Sequence, residues 1–205
     1  GLLATAITFR AWDRTVGTNG GLLSTAVNGG ATAFSSATDT ASLTVNAVND
    51  APILNAAKSP VLTAILEDAA TPKGAVGTLV STLVDFASPT GQRDNVTDVD
   101  VNPVLGIAVT SASATSGTWY FSTNNGVTWL LLGTPSSTSS RLLAADASTR
   151  LYFKPNANFS GLLATAITFR AWDRTVGTNG GLLSTAVNGG ATAFSSATDT
   201  ASISV

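Results

Sequence analysis

Apolar and polar residues alternate along several short runs of the chain with a period of two, the pattern of a strand that buries one face. From Thr5 to Trp12, Ile7, Phe9 and Ala11 fall on one face, and Thr8, Arg10 and Trp12 on the other. Further runs at Thr40–Val48, Val61–Leu66, Val104–Thr110, Gly117–Thr123, Val127–Leu132, Arg150–Phe153, Leu163–Trp172 and Thr200–Val205 predict strands separated by Gly, Asn, Asp, Pro and Ser turns. From residue 49 onward the number of strands fits a two-sheet β-sandwich with long loops.

The pattern also repeats. Residues Gly1–Ser42 recur without change at Gly161–Ser202, and the next positions differ only as Leu43 against Ile203 and Thr44 against Ser204. Copies this alike arise by recent duplication or by recombination within a longer array, so the chain reads as a window on a tandem repeat protein. The stretch Val48-Asn49-Asp50-Ala51-Pro52 breaks the strand rhythm and sets the expected boundary. Residues 1–48 are then the C-terminal part of one repeat, and 49–205 one complete repeat. A segment 1–45 without the early strands of its unit would expose sheet edge and apolar face, so it is expected either to be completed by a neighbouring molecule or to be incomplete only because the sequence is a cut from a continuous polymer. The identical sequences also predict identical strands, with Phe9 and Phe169 equivalent.

Two local features are legible. Asn125-Gly126 supplies both positive-φ positions of a type I′ hairpin turn, which would set Tyr120 opposite Leu131 and Ser122 opposite Trp129. Ser122–Trp129 resembles the Asp-box hairpin of sialidase propellers, with Asn124 in place of the Asp, but a propeller repeats that hairpin and here it occurs once. In Arg150–Gly161, Pro155 is expected to end a strand at Phe153, and Asn156, Asn158 and Gly161 to turn the chain.

Composition narrows the chemistry. The chain has no Cys, His or Met, which removes thiol nucleophiles, histidine bases, histidine zinc sites and disulfides. No pair of carboxylates is marked as acid and nucleophile for glycoside hydrolysis, and no enzyme is expected. A net charge of -2 with ten scattered Lys and Arg gives no patch to neutralise phosphates, so nucleic acid is not an expected partner. No apolar run approaches the length that spans a bilayer, and the N-terminus lacks a signal-peptide pattern.

The linker Val48–Pro52, the pair Glu67-Asp68, Asp98-Val99-Asp100, the Tyr152-x-x-Pro155-Asn156-x-Asn158-Phe159-x-Gly161 stretch and the strand closing at Asp173 resemble, in this order, the cadherin-like tandem repeats of giant bacterial surface proteins. The resemblance spans residues 46–205 and, through the duplication, 1–45. It implies an all-β, Greek-key (cadherin-like, Ig-like) sandwich in tandem array, an extracellular or cell-surface location reached by secretion, and Ca2+ at the junctions between repeats. The unit is longer than the family's usual repeat, and the loop Val176–Thr198 has no counterpart in the pattern.

Among the few acidic residues, Glu67-Asp68 and Asp98-x-Asp100 form close pairs, and Asp50 follows Asn49 in the linker. Clustered carboxylates repel one another unless a cation or solvent relieves them, and Ca2+ accepts carboxylate, Asn and main-chain oxygens. Taken singly, Asp98 and Asp100 are turn formers, Asp68 a cap and Asp50 a solvated linker residue; Asp173 pairs with Arg170. Taken together with the resemblance, Asn49, Asp50, Asp98, Asp100 and Asp173 are candidate ligands at one junction, with Glu67 serving the next. The expected role is a Ca2+-stiffened spacer or polymer-forming unit of an adhesin, fibre or sheath. Its partners would be neighbouring repeats, by head-to-tail or lateral self-association, with any glycan or cell-surface receptor bound elsewhere in the protein. The alternative is a carbohydrate-binding module in which Trp12, Trp119, Trp129 and Trp172 stack on sugar rings.

Overall fold

A computed structural model describes residues 1–86 and 94–205, and the fold is almost entirely β. The chain divides into two compact units, Gly1–Val48 and Asn49–Val205. The first contains β1 (Leu2–Phe9) and β2 (Asp39–Thr44). The second contains β3 (Ile53–Leu54), β4 (Thr78–Leu79), a single helical turn α1 (Ser81–Val84), β5 (Val96–Thr97), β6 (Gly106–Ala112), β7 (Gly117–Ser122), β8 (Leu130–Leu131), β9 (Ser140–Ala144), β10 (Arg150–Pro155), β11 (Leu162–Trp172), β12 (Leu182–Leu183) and β13 (Asp199–Ser204). No helix among the described residues is long and apolar enough to cross a membrane.

In the second unit a four-stranded sheet, β4-β10-β7-β8, faces a five-stranded sheet, β12-β9-β6-β11-β13, and β3 pairs with β5 beside them. All of these pairings are antiparallel. The inward residues Trp119, Phe121, Leu151 and Phe153 of one sheet pack with Ile107, Val109, Leu143, Ile167, Phe169 and Ile203 of the other in a single core. Trp119 and Phe153 lie with ring centroids 4.8 Å apart. The period-two alternation of β11 thus buries Ile167 and Phe169 between the sheets. Its other face carries Trp172, which packs with Ala108 and Leu142 under Ala193 and Phe194. The long loop after β11 is therefore the cover of the outer face of the larger sheet.

The Asn125-Gly126 hairpin forms in the expected register, Tyr120 opposite Leu131, with both residues at positive φ. Its end is closed by side chains, because Ser122 Oγ receives Gly126 N–H at 2.9 Å and Asn124 Oδ1 receives Thr128 N–H at 2.9 Å. The expected run Val127–Leu132 shrinks accordingly to Leu130–Leu131. Two other expectations are corrected, and one strand is unexpected. Val61–Leu66 is not a strand: Leu62 and Ile65 donate to Ser202 and Ser204 carbonyls, but Thr63 N–H turns to Thr78 Oγ1, so the ladder is broken between them. Pro155 does not end β10 at Phe153; it is the strand's last residue, opposite Gly117, where its missing N–H is not needed. β9, a central and buried strand, has no alternation in its sequence Ser140-Arg-Leu-Leu-Ala144 because the larger sheet is covered on both faces there.

The two copies of the duplicated segment fold alike. β1 pairs β2 as Leu2 with Thr44, Ile7 with Ala41 and Phe9 with Asp39; β11 pairs β13 as Leu162 with Ser204, Ile167 with Ala201 and Phe169 with Asp199, with the same register shift. Trp12 Nε1 donates to Val16 O and Trp172 Nε1 to Val176 O, each at 2.8 Å. Burial differs: Ile7 and Phe9 are 59% and 46% exposed, Ile167 and Phe169 1% and 0%.

Candidate functional site

The linker residues Asn49 and Asp50 lie against one end of the second unit. β11 stops at Trp172, and Asp173 follows it, buried, at the end of the sheet where β13 begins. Asp173 Oδ1 receives Thr175 N–H at 2.8 Å and Thr175 Oγ1–H at 2.6 Å, an Asx turn that fixes the carboxylate. Asp13 and Thr15 repeat the same bonds in the first unit, where they hold the Asp13 carboxyl below its usual range. Asp173 Oδ2 receives Asn49 Nδ2–H at 2.8 Å, and that amide also donates to Thr192 O at 3.2 Å.

Beside it, Asp50 N–H donates to Asp100 Oδ2 at 3.1 Å, and Asp100 N–H donates to Asp98 Oδ1 at 2.9 Å. Ala51 N–H then donates to Gly190 O at 2.7 Å. The remaining oxygen, Asp98 Oδ2, is buried and has no hydrogen-bond partner. Burial raises the Asp98 pKa above the ordinary carboxyl value; the charges of Asp100, Asp173 and Asp50 raise it further, against the lowering by Asp100 N–H. Five of the six expected site residues, Asn49, Asp50, Asp98, Asp100 and Asp173, thus meet at one place although Asn49 and Asp173 are 124 positions apart.

Glu67 does not join them. Ile65 bonds to Ser204 at the far end of β13, and Glu67 is exposed just beyond it, at the opposite end of the sandwich from Asp173. Asp68 Oδ1 there receives Asn158 N–H at 3.1 Å and ties the Pro155–Gly161 turn down. Arg170 makes no use of Asp173: its guanidinium donates to the carbonyls of Ser195 and Ser196.

The donor set is one of hard oxygens, with an orphaned buried carboxylate oxygen among like charges, and this chemistry suits Ca2+. Among the described residues, no group of three or more His, Cys, Asp or Glu side chains is placed to hold a metal ion as it stands. The Asn49 amide and the Asp50 N–H occupy one oxygen each of Asp173 and Asp100. Ca2+ also draws on amide and main-chain carbonyl oxygens, which Asn49 and the linker backbone supply.

The tryptophans make no common platform. Trp119 and Trp172 are buried, in separate clusters. Trp129, half-buried, sets its ring edge against Tyr152 at 5.8 Å and donates to Gly74 O. Trp12 is half-buried in the first unit. Only two of the four rings reach solvent, so a stacking surface built from all of them is not present.

No protein-family model matches the chain, and the searches of curated proteins and of solved structures returned no significant match.

Proposed function

We propose that the chain is a structural repeat of a long extracellular surface protein, an adhesin, fibre or sheath, in which each unit is a spacer and Ca2+ stiffens the junctions. What carries this reading is the attachment of the linker to the carboxylates: Asn49 to Asp173 and Asp50 to Asp100, with Asp98 desolvated behind them. A linker between two sandwiches is by default a hinge. Here its first residues are bonded to the unit that follows, so the freedom that remains lies upstream of Asn49. Ca2+ would be held by Asp98, Asp100 and Asp173 with oxygens of Asn49 and Asp50, and it would relieve the mutual repulsion of these groups. Pulling Asn49 and Asp50 away from the second unit would then strip ligands from the ion, at a cost of roughly several kcal/mol, so the ion would hold the start of the linker to the unit that follows. Near-identity of the repeated segment supports an array in which the same joint recurs.

The test is a pair of measurements on this chain and on a longer protein of several units, in excess Ca2+ and in excess chelator. Ca2+ is expected to raise the melting temperature and to lengthen the multi-unit protein in small-angle scattering, and Asp98→Ala with Asp100→Ala to abolish both effects. Identical melting curves and scattering profiles in the two conditions would leave a metal-free spacer joined by hydrogen bonds alone.

A further inference from the structure

The direction of the chain sets how the second unit carries a pull. β13 runs from Asp199, opposite Phe169 near the linker, to Ser204, opposite Leu162 at the far end. β11 holds one of its edges, antiparallel. The other edge is taken by residues 60–65, which run parallel to β13 with Val61 beside Ser202. Across this seam Leu62 N–H donates to Ser202 O at 2.8 Å, Ile65 N–H to Ser204 O at 3.0 Å and Ser202 N–H to Pro60 O at 3.3 Å. The segment is also held against lifting sideways. Leu62 sits in the core with Ala201 and Ile203 of β13. Thr63 N–H is bonded to Thr78 Oγ1 of the other sheet at 2.8 Å, and Tyr152 O–H donates to Ala70 O at 2.9 Å a little further along.

We infer that this seam is a shear clamp and that the body of the second unit bears tension along the chain. The chain enters residues 60–65 from the linker side and leaves β13 at the far end, so a pull on Asn49 and Val205 drags the two neighbours past each other along their own lengths. The three bonds of the seam, and those between β13 and β11, then stretch together. A pull across the strands would instead load the terminal bond alone and break the rest in turn. Each backbone hydrogen bond is worth roughly two- to tenfold in a rate, so two more broken in the same step slow it by roughly 4- to 100-fold. Residues 49–55 are bonded upstream, Ala51 N–H to Gly190 O and Asn55 N–H to Asn95 O, and yield as a separate, earlier step where they are weaker. The seam uses no carboxylate, so the clamp needs no Ca2+ and stands or falls apart from the joint.

Forced unfolding reads the unfolding rate rather than the equilibrium stability, so the test compares two directions of pull on one fold in excess chelator. The chain has no cysteine, and Val48, Ser160 and Ser204 are exposed, so introduced thiols carrying maleimide-linked handles define each direction. Val48→Cys/Ser204→Cys loads the seam lengthwise. Ser160→Cys/Ser204→Cys takes hold of β11 and β13 at the same end and peels them apart. At the same constant force in an optical trap, the first pair is expected to survive roughly tenfold longer or more. Equal lifetimes, or a longer one for the second pair, would overturn the clamp. In the lengthwise direction Ile65→Pro, which removes the donor to Ser204 O, should shorten the lifetime more than Leu142→Ala, which empties a site in the other cluster. The reverse order would also overturn it, because resistance would then follow overall stability and not the seam. The comparison of directions leaves the clamp intact, so it decides even where Ile65→Pro fails to fold.

Discussion

Replacing Asn49 by Ala tests whether the linker is bonded to its domain as described. The substitution removes an amide that donates to the buried carboxylate of Asp173 at 2.8 Å and to Thr192 O at 3.2 Å. A hydrogen bond to a charged group contributes about 1.5–3 kcal/mol and a neutral one about 1. Asp173 keeps both bonds from Thr175, and the linker keeps those of Asp50 and Ala51, so the loss is bounded at the lower end of the sum. We expect about 2–3 kcal/mol, which for a domain of this size lowers the melting temperature by roughly 4–12 °C. Calorimetry in chelator measures it. Asn49→Asp separates the roles of shape and charge: it sets a carboxylate against Asp173, so it should melt below Asn49→Ala in chelator and recover more in Ca2+ than the native chain does. A shift of less than about 1 °C for Asn49→Ala would refute the reasoning, since no hydrogen bond to a buried charge is that weak.

Asp98→Asn keeps an oxygen for Asp100 N–H but removes the charge that burial and Asp100, Asp173 and Asp50 disfavour, so melting at neutral pH in chelator should rise and the response to Ca2+ should fall. Burial likewise raises the carboxyl of Asp199, so in the native chain both groups bind protons more tightly folded than unfolded. Stability in chelator should therefore increase as pH falls from 7 toward the usual carboxyl range, and Asp98→Asn should flatten part of that slope in a melting series against pH. Leu142→Ala empties a fully buried site between Trp172 and Phe194 and should cost about 3–5 kcal/mol in denaturant unfolding. Gly126→Ala would place a Cβ 1.8 Å from Gly74 O at φ 84°; its loss of stability should exceed that of Asn125→Ala in the same assay.

The residues that converge on the linker were each visible in the sequence as acidic pairs and turn formers, and the resemblance grouped them. Distance and burial were not visible. That Asn49 donates to Asp173, that Asp98 is left with an orphaned oxygen, and that Glu67 lies at the other end follow from how the linker, the Asp98–Asp100 loop and the Leu62–Ile65 segment pack on the β11–β13 hairpin, which no local pattern encodes. β9 escaped notice because a strand covered on both faces loses the alternation that marks strands.

The duplicated segment separates the two kinds of information. Local sequence alone determined whatever both copies share: the register of β1 on β2 and of β11 on β13, the Asp-Thr turn, the tryptophan bond to the carbonyl four residues on, and the positive φ of Arg14 and Arg174. These are contacts within one hairpin and its loop, made wherever the residues occur. Tertiary structure decided the rest. Leu182–Leu183 is a strand and Leu22–Leu23 is not, because only the former has β9 beside it. β11 extends through Arg170, Ala171 and Trp172 against β6, whereas β1 stops at Phe9. A strand's backbone needs a partner for its N–H and C=O groups, and its apolar face needs a second sheet; neither is encoded in the strand itself.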